Sequence, residues 1–248
     1  MASSGAAAII IGNEVLTAKV VDANGPHLIQ RLREVGVALR SVEIVPDEVD
    51  AIVDAVARAR LKAKYVFTSG GIGPTHDDVT VRAVALAMGR QVVRLPEMVE
   101  LIRQKSWERG LEHVMPETLR LADAPEGAVL LPLPGNGFPV LSVQDVFLLP
   151  GVPQLVRVQL EAVLSRLSGS PVYLRVLYLG VGESAVAGVL DRVALDMPHV
   201  SIGSYPMFDS SLDYQVKVTV ESGARDSVEE ALARLQAALP TGSVLRTG

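Results

Sequence analysis

The chain has 248 residues, 49% of them hydrophobic, with a formal net charge of −5; this suffices for one large α/β domain, or a mid-sized domain with a small companion, and argues against wholesale disorder. The acidic balance supplies no broad positive field for a nucleic-acid backbone, and no apolar run approaches the roughly 20 residues of a membrane span, so neither partner is expected and the protein reads as soluble and cytoplasmic. With no cysteine there can be no disulfide, thiolate nucleophile or zinc-thiolate centre, and four scattered histidines leave carboxylates as the candidate metal ligands.

Residues 6–11 form a continuous apolar run, the mark of a strand buried on both faces, and stop at Gly12-Asn13-Glu14. Leu28, Ile29, Leu32 and Val35 recur at helical spacing after Pro26, and Gly36 supplies the stop. A second strand over 37–45 ends at Pro46-Asp47, and Val49, Ile52, Val53 and Val56 mark the next helix. A short third strand, 65–67, opens into Thr68-Ser69-Gly70-Gly71-Ile72-Gly73-Pro74; Asp77-Asp78 then precede a helix carrying Val81, Val84, Ala85 and Met88. Residues 95–120 read as helix broken at Pro116, and 125–139 as a Pro/Gly-rich excursion. Strands follow at 140–143 and 145–149, then Pro150-Gly151-Val152-Pro153 and a helix over 154–167.

The stretch Ser168-Gly169-Ser170-Pro171 reads as a linker between a domain of residues 1–168 and one of 171–248. In the second, a strand at 173–179, a helix at 183–195, strands at 200–205 and 214–220, a helix at 226–239 and a strand at 243–245 give the order βαββαβ, the ferredoxin-like pattern.

Alternation of strands and helices in the first domain predicts a sheet covered on both faces, with ligands at the carboxyl rim of its strands. Three glycines after a strand let backbone N–H groups approach an anion. A phosphate held by the amides of Gly70 to Gly73 and the hydroxyls of Thr68 and Ser69 is therefore expected. It is not the dinucleotide fingerprint, because counting from Gly71 the last glycine position is occupied by His76, and the Walker lysine is absent. One of Asp77 and Asp78 is expected to cap the following helix, but two adjacent carboxylates exceed what a cap requires, and Mg²⁺ takes one or two carboxylates plus phosphate oxygens. Asp47 reads either as a helix cap or as a site carboxylate, Glu14 either as a solvated charge or as part of the same acidic rim, and His76 either as solvated or as a donor to phosphate. Trp107 reads as packing or an oligomer contact.

In that order, Gly12-Asn13-Glu14-Val15-Leu16-Thr17, Val21-Asp22-Ala23-Asn24, Pro46-Asp47, the run from Ser69 to Thr80 and Leu149-Pro150-Gly151-Val152-Pro153 resemble the N-terminal domain of the CinA family. The wider group includes molybdopterin-binding proteins of the MogA and MoaB type and the N-terminal domain of eukaryotic FAD synthase. The resemblance implies a three-layer α/β/α domain followed by a small KH-like domain. RNA binding is not expected of the latter, because Gly180-Val181-Gly182-Glu183 lacks the second glycine of the G-x-x-G clamp. It further implies a metal-dependent pyrophosphatase acting on ADP-ribose or a dinucleotide such as FAD, in a homo-oligomer. Asp47 and Asp78 would be catalytic, and a divalent metal (Mg²⁺, Mn²⁺ or Co²⁺, with K⁺ a further candidate) would be held by Asp77 and Asp78. Substrate contacts would come from Gly12, Asn13, Glu14, the stretch from Thr68 to Gly73 with His76, and Asn136, Pro150 and Gly151. The chain ends before the nicotinamide-mononucleotide deamidase domain of full-length CinA, so that activity is not expected, and Ala18 stands where many relatives carry glycine. Molybdopterin binding or adenylylation, served in MogA-type proteins by the matching aspartates, and a non-catalytic nucleotide-binding module are the rival readings.

Overall fold

The computed structural model describes residues 5–135, 137–209 and 211–248. The chain divides into two compact units, one ending at Gly169 and one spanning Ser170–Gly248.

In the first unit, β1 (Gly5–Ile11), β2 (Ala38–Val45), β3 (Tyr65–Ser69), β6 (Val129–Leu131), β7 (Val140–Val143) and β8 (Val146–Leu149) form one sheet in the order β2-β1-β3-β8-β7-β6. The first four in that order pair in parallel, and β7 runs antiparallel to both its neighbours. The apolar run of β1 is explained by what lies on each side. Ala6, Ala8 and Ile10 pack with Leu28 and Leu32 of α2 (Asn24–Glu34) and Val156 and Leu160 of α6 (Pro153–Leu164). Ala7, Ile9 and Ile11 pack with Ile52 and Val56 of α3 (Val49–Lys62) and Ala83 and Val84 of α4 (Thr80–Ala87). Alternate side chains thus enter opposite cores, each buried Ile or Leu contributing roughly 1.5–3 kcal/mol, and the three-layer α/β/α expectation holds.

The stretch expected as helix to residue 120 is shorter. Helix α5 spans Pro96–Glu108 and is closed by bonds from Gly110 N–H to Trp107 O and Leu111 N–H to Ser106 O, well before Pro116. A 3₁₀ turn follows at Thr118–Ala122. The excursion over 125–139 also contains structure, since β5 (Asp123–Pro125) pairs with β4 (Val92–Arg94), and β6 closes the main sheet. The loop after β1 contains a one-turn helix, α1 (Asn13–Leu16).

In the second unit, β9 (Tyr173–Leu179), α7 (Ala187–Asp196), β10 (Ser201–Pro206), β11 (Val216–Ser222), α8 (Arg225–Ala238) and β12 (Val244–Thr247) give an antiparallel sheet in the order β10-β11-β9-β12, the ferredoxin-like arrangement. Its core joins Leu177, Leu179, Val216, Val218 and Val220 to Leu190, Val193, Ala231 and Leu235. Among the described residues no helix is long and apolar enough to cross a membrane.

Candidate functional site

Strand β1 lies between β2 and β3, and the helices that follow β1 and β3, α2 and α4, pack on opposite faces of the sheet, so a crevice opens at the carboxyl ends of these two strands. Four segments meet on this rim: Gly12 to Glu14 after β1, Pro46-Asp47 after β2, Gly70 to Asp78 after β3, and Pro150 to Pro153 after β8.

The floor is a buried lattice of side chains. Asn24, 6% exposed, donates through Nδ2 to Ser69 Oγ (3.0 Å) and to the Gly151 carbonyl (2.8 Å). The Ser69 hydroxyl in turn donates to the Pro150 carbonyl (3.0 Å). Asp22 orients Asn24 by accepting from the backbone N–H groups of Asn24 (2.8 Å) and Gly25. Thr68 and Ser69 therefore differ from expectation: Thr68 is wholly buried with its hydroxyl unpartnered, and the Ser69 hydroxyl is committed to the lattice, so neither presents a free donor to a phosphate. Asn24 entered the sequence reading only as a member of an ordered motif; its amide joins the ends of β3 and β8.

Above this floor the glycine loop is constrained by shape. Gly70 (φ 108°) and Gly71 (φ 65°) lie at positive φ, and a Cβ would collide with the Ile11 carbonyl at the first and with Thr80 Oγ1 at the second. Buried Thr80 fastens the loop to α4, its hydroxyl donating to Gly70 O (2.8 Å) and its N–H to Gly71 O (2.9 Å). The Gly70 N–H donates to Leu149 O (3.1 Å) and so is not available to a ligand. Those of Gly71, Ile72 and Gly73 donate to no described residue, which leaves three amides for an anion.

The carboxylates are not helix caps. Asp78 Oδ2 accepts from the N–H (2.7 Å) and hydroxyl (2.5 Å) of Thr75, while α4 begins at Thr80 with no side-chain cap. Neither Asp77 nor Asp78 serves as the expected cap. Asp47 likewise does not cap α3, whose N-cap is Glu48; its Oδ2 accepts from the Asn13 N–H (2.8 Å), tying the loop after β2 to the loop after β1. Burial pushes the Asp47 carboxyl above its ordinary range, against the lowering effect of the Asn13 N–H, and the charges of Glu14, Asp77 and Asp78 push it further up. Crowded like charges of this kind favour a proton or a cation nearby. Even so, among the described residues no group of three or more His, Asp or Glu side chains is arranged to hold a metal ion by itself.

Glu14, Asp47, the stretch from Gly70 to Gly73, Asp77, Asp78, Pro150 and Gly151 all line one cleft of about 680 Å³. Gly12 and Asn13 support it from behind, through the Gly12 N–H on Val45 O (3.2 Å) and the Asn13 bond to Asp47. The His76 side chain is 96% exposed and does not line the cleft, which favours the solvated reading. Asn136 lies outside the described residues. Three polar lining residues were not anticipated. Arg120, the one basic side chain among the described lining residues, donates to the Pro74 carbonyl (3.3 Å) and brings a guanidinium to the glycine loop. Asp123 is paired with Arg94 (2.7 Å). Gln159 is a polar residue among the core positions Val156, Leu160 and Val163 of α6, and that break in the apolar pattern was a signal available in the sequence.

Residue Ala18 adopts φ 56°, the left-handed conformation that glycine takes most readily.

Comparison with known proteins agrees with this architecture. Residues 7–169 match the model of the probable molybdopterin binding domain, and residues 171–247 that of the FAD synthase middle domain. A protein of Aeropyrum pernix is 33% identical over 241 residues, covering 93% of this chain and 89% of its own. A probable FAD synthase of Caenorhabditis briggsae is 31% identical over 248 residues; these cover 90% of this chain and 47% of that protein, so the chain spans about half its length. The crystal structure of the CinA protein of unknown function from Thermoplasma acidophilum superimposes with a TM-score of 0.59 at 28% identity, over 66% of this chain and 98% of that one. The chain thus belongs to the molybdopterin-binding-domain family as a CinA-like member.

Proposed function

We propose that the cleft hydrolyses the pyrophosphate bond of ADP-ribose or a related dinucleotide such as FAD, releasing two monophosphates. The observation that carries this reading is the meeting, in one cleft, of three unpaired amides at Gly71, Ile72 and Gly73 with the carboxylates of Glu14, Asp47, Asp77 and Asp78. The amides would hold phosphate oxygens, with Arg120 as a further partner, and their preorganised dipoles would stabilise charge developing there. Asp47, held above the usual carboxylate range, would orient the attacking water and accept its proton as the bond from phosphorus to the bridging oxygen breaks. The mutual repulsion of the carboxylates fits a divalent cation, Mg²⁺, Mn²⁺ or Co²⁺, shared between Asp78, Asp77 and the substrate phosphates rather than caged by the protein alone. When bound it would neutralise charge on the transferring phosphoryl group. The similarity of residues 171–247 to the FAD synthase middle domain supports a nucleotide substrate.

A pterin is the second reading, favoured by the family to which residues 7–169 belong. Incubation of the full chain with ADP-ribose, FAD and, with ATP, a pterin phosphate, each with the three metals, K⁺ and a chelator varied separately, tests both. Monophosphate release that stops in chelator is the expected result. Adenylylated pterin without dinucleotide hydrolysis would favour the second reading, and turnover undiminished by chelator would remove the metal from the scheme.

A further inference from the structure

Gln159 is 6% exposed and lies on α6 among the fully buried Val156, Leu160 and Val163. Its Nε2 donates to the Phe138 carbonyl (3.1 Å), whereas its Oε1 is buried without a hydrogen-bond partner. Leaving a buried acceptor unpaired is costly, and turning the amide over would set Oε1 against the Phe138 oxygen. The side chain is therefore locked in the orientation that leaves Oε1 as the unpaired acceptor. Gln159 and Phe138 both line the cleft, together with the apolar Met98, Pro139, Leu148 and Leu155. Along the helix, Gln159 stands six residues beyond Pro153, about 9 Å from the rim loop at 1.5 Å per residue. That separation is comparable to the reach from the phosphate of a nucleotide to its ring.

We propose that Gln159 is a specificity-determining residue. Its Oε1 accepts a hydrogen bond from an N–H on the edge of the planar heterocycle of the bound nucleotide, while the apolar lining covers the ring. The assignment rests on the nucleotide reading above. A flat aromatic ring suits walls formed by Phe138 and aliphatic side chains. A pocket that holds one fixed acceptor rejects an analogue lacking the donor, because the acceptor is then buried unpaired. Two rings of ADP-ribose and FAD carry such a donor: adenine through its exocyclic amine and the flavin through its imide N–H.

The test measures affinities by calorimetry for two matched pairs, AMP against purine riboside 5′-monophosphate, which lacks the amine, and FMN against 3-methyl-FMN, which lacks the imide N–H. The full chain, Gln159→Leu and Gln159→Glu are compared. The unmodified chain should prefer the donor-bearing member of one pair by about tenfold, and the pair that responds identifies the ring. Gln159→Leu should bind both members equally, while Gln159→Glu, whose buried carboxyl when protonated donates to the Phe138 carbonyl through one oxygen and accepts through the other, should keep the preference; the unmodified chain alone decides if the leucine variant does not fold. Equal affinities within both pairs, or a preference surviving in Gln159→Leu, would overturn the assignment while leaving the nucleotide reading in place. Failure of all four compounds to bind the unmodified chain would overturn both.

Discussion

Replacing Asp78 by asparagine separates a structural role from a chemical one, because the structure shows what the carboxylate does for the fold. Asp78 Oδ2 accepts two bonds from Thr75, at 2.7 and 2.5 Å. An asparagine carbonyl oxygen can accept both, so the loss is the difference between charged and neutral acceptors, which in this exposed loop amounts to roughly 1 kcal/mol. For a unit of this size the expected drop in Tm is about 2–4 °C. The effect on catalysis is of another order. Loss of the negative charge that a cation and its phosphate require should remove several kcal/mol of transition-state stabilisation, a fall in turnover of about a hundredfold or more. Thermal unfolding and metal-titrated hydrolysis of ADP-ribose, measured on the same preparation, give both numbers. Thr75→Val is the companion, since it removes the hydroxyl donor but keeps the carboxylate, and its turnover should stay within a few-fold of the unmodified chain. Unchanged turnover in Asp78→Asn would refute the chemical role and return Asp78 to holding its loop.

Three further outcomes are expected. The raised pKa of Asp47 means that the folded chain binds its proton more tightly than the unfolded chain, so this group's contribution is present below the ordinary carboxylate value of 3.8 and is lost as pH rises through the raised folded value. Asp47→Asn should therefore melt higher than the unmodified chain at pH 7, with the advantage shrinking toward pH 3.5, while hydrolysis falls; an advantage that does not change with pH would contradict the cause assigned to the shift. Arg120→Ala should raise KM for the dinucleotide about tenfold with a smaller change in kcat, as loss of a contact made equally to ground and transition state requires, and an unchanged KM would exclude Arg120 as a phosphate partner. Asn24→Ala should destabilise the first unit by roughly 2 kcal/mol, because Ser69 Oγ and Gly151 O lose a buried donor, and a denaturant melt with an unshifted midpoint would show that the lattice is not needed.

Much of the frame was legible in the sequence, for physical reasons that particular residues make plain. The unbroken apolar run of β1 admits a strand buried on both faces and little else, and the glycines at 70 and 71, read only as allowing close approach of an anion, lie at positive φ. The acidic residues were correctly brought to one rim because parallel strands order their own loops. What they touch was not legible. An aspartate just before a helix reads as a cap, yet Asp78 binds Thr75 and Asp47 binds Asn13, a partner 34 residues away that only the pairing of β1 with β2 brings near. Strands of three residues such as β4, β5 and β6 are too short to show alternation. Arg120 was masked by lying in a stretch that reads as helix and is instead a tight turn beside the glycine loop.

The buried amide of Asn24 carries a consequence for how such a site changes over time. It fixes the ends of β3 and β8 from below, through Ser69 and the Gly151 carbonyl, without using any atom of residues 72–77. Those residues bear two of the three open amides and Asp77, and they lie outside the lattice that the fold depends on. Substitutions there can alter which anion is held, or at what distance from Asp47, without disturbing the strand ends beneath. Substitutions at Asn24, Ser69 or Asp22 disturb every ligand alike. A common scaffold can thus diverge in substrate while its foundation stays constant, and the divergence is confined to a segment short enough to be exchanged whole.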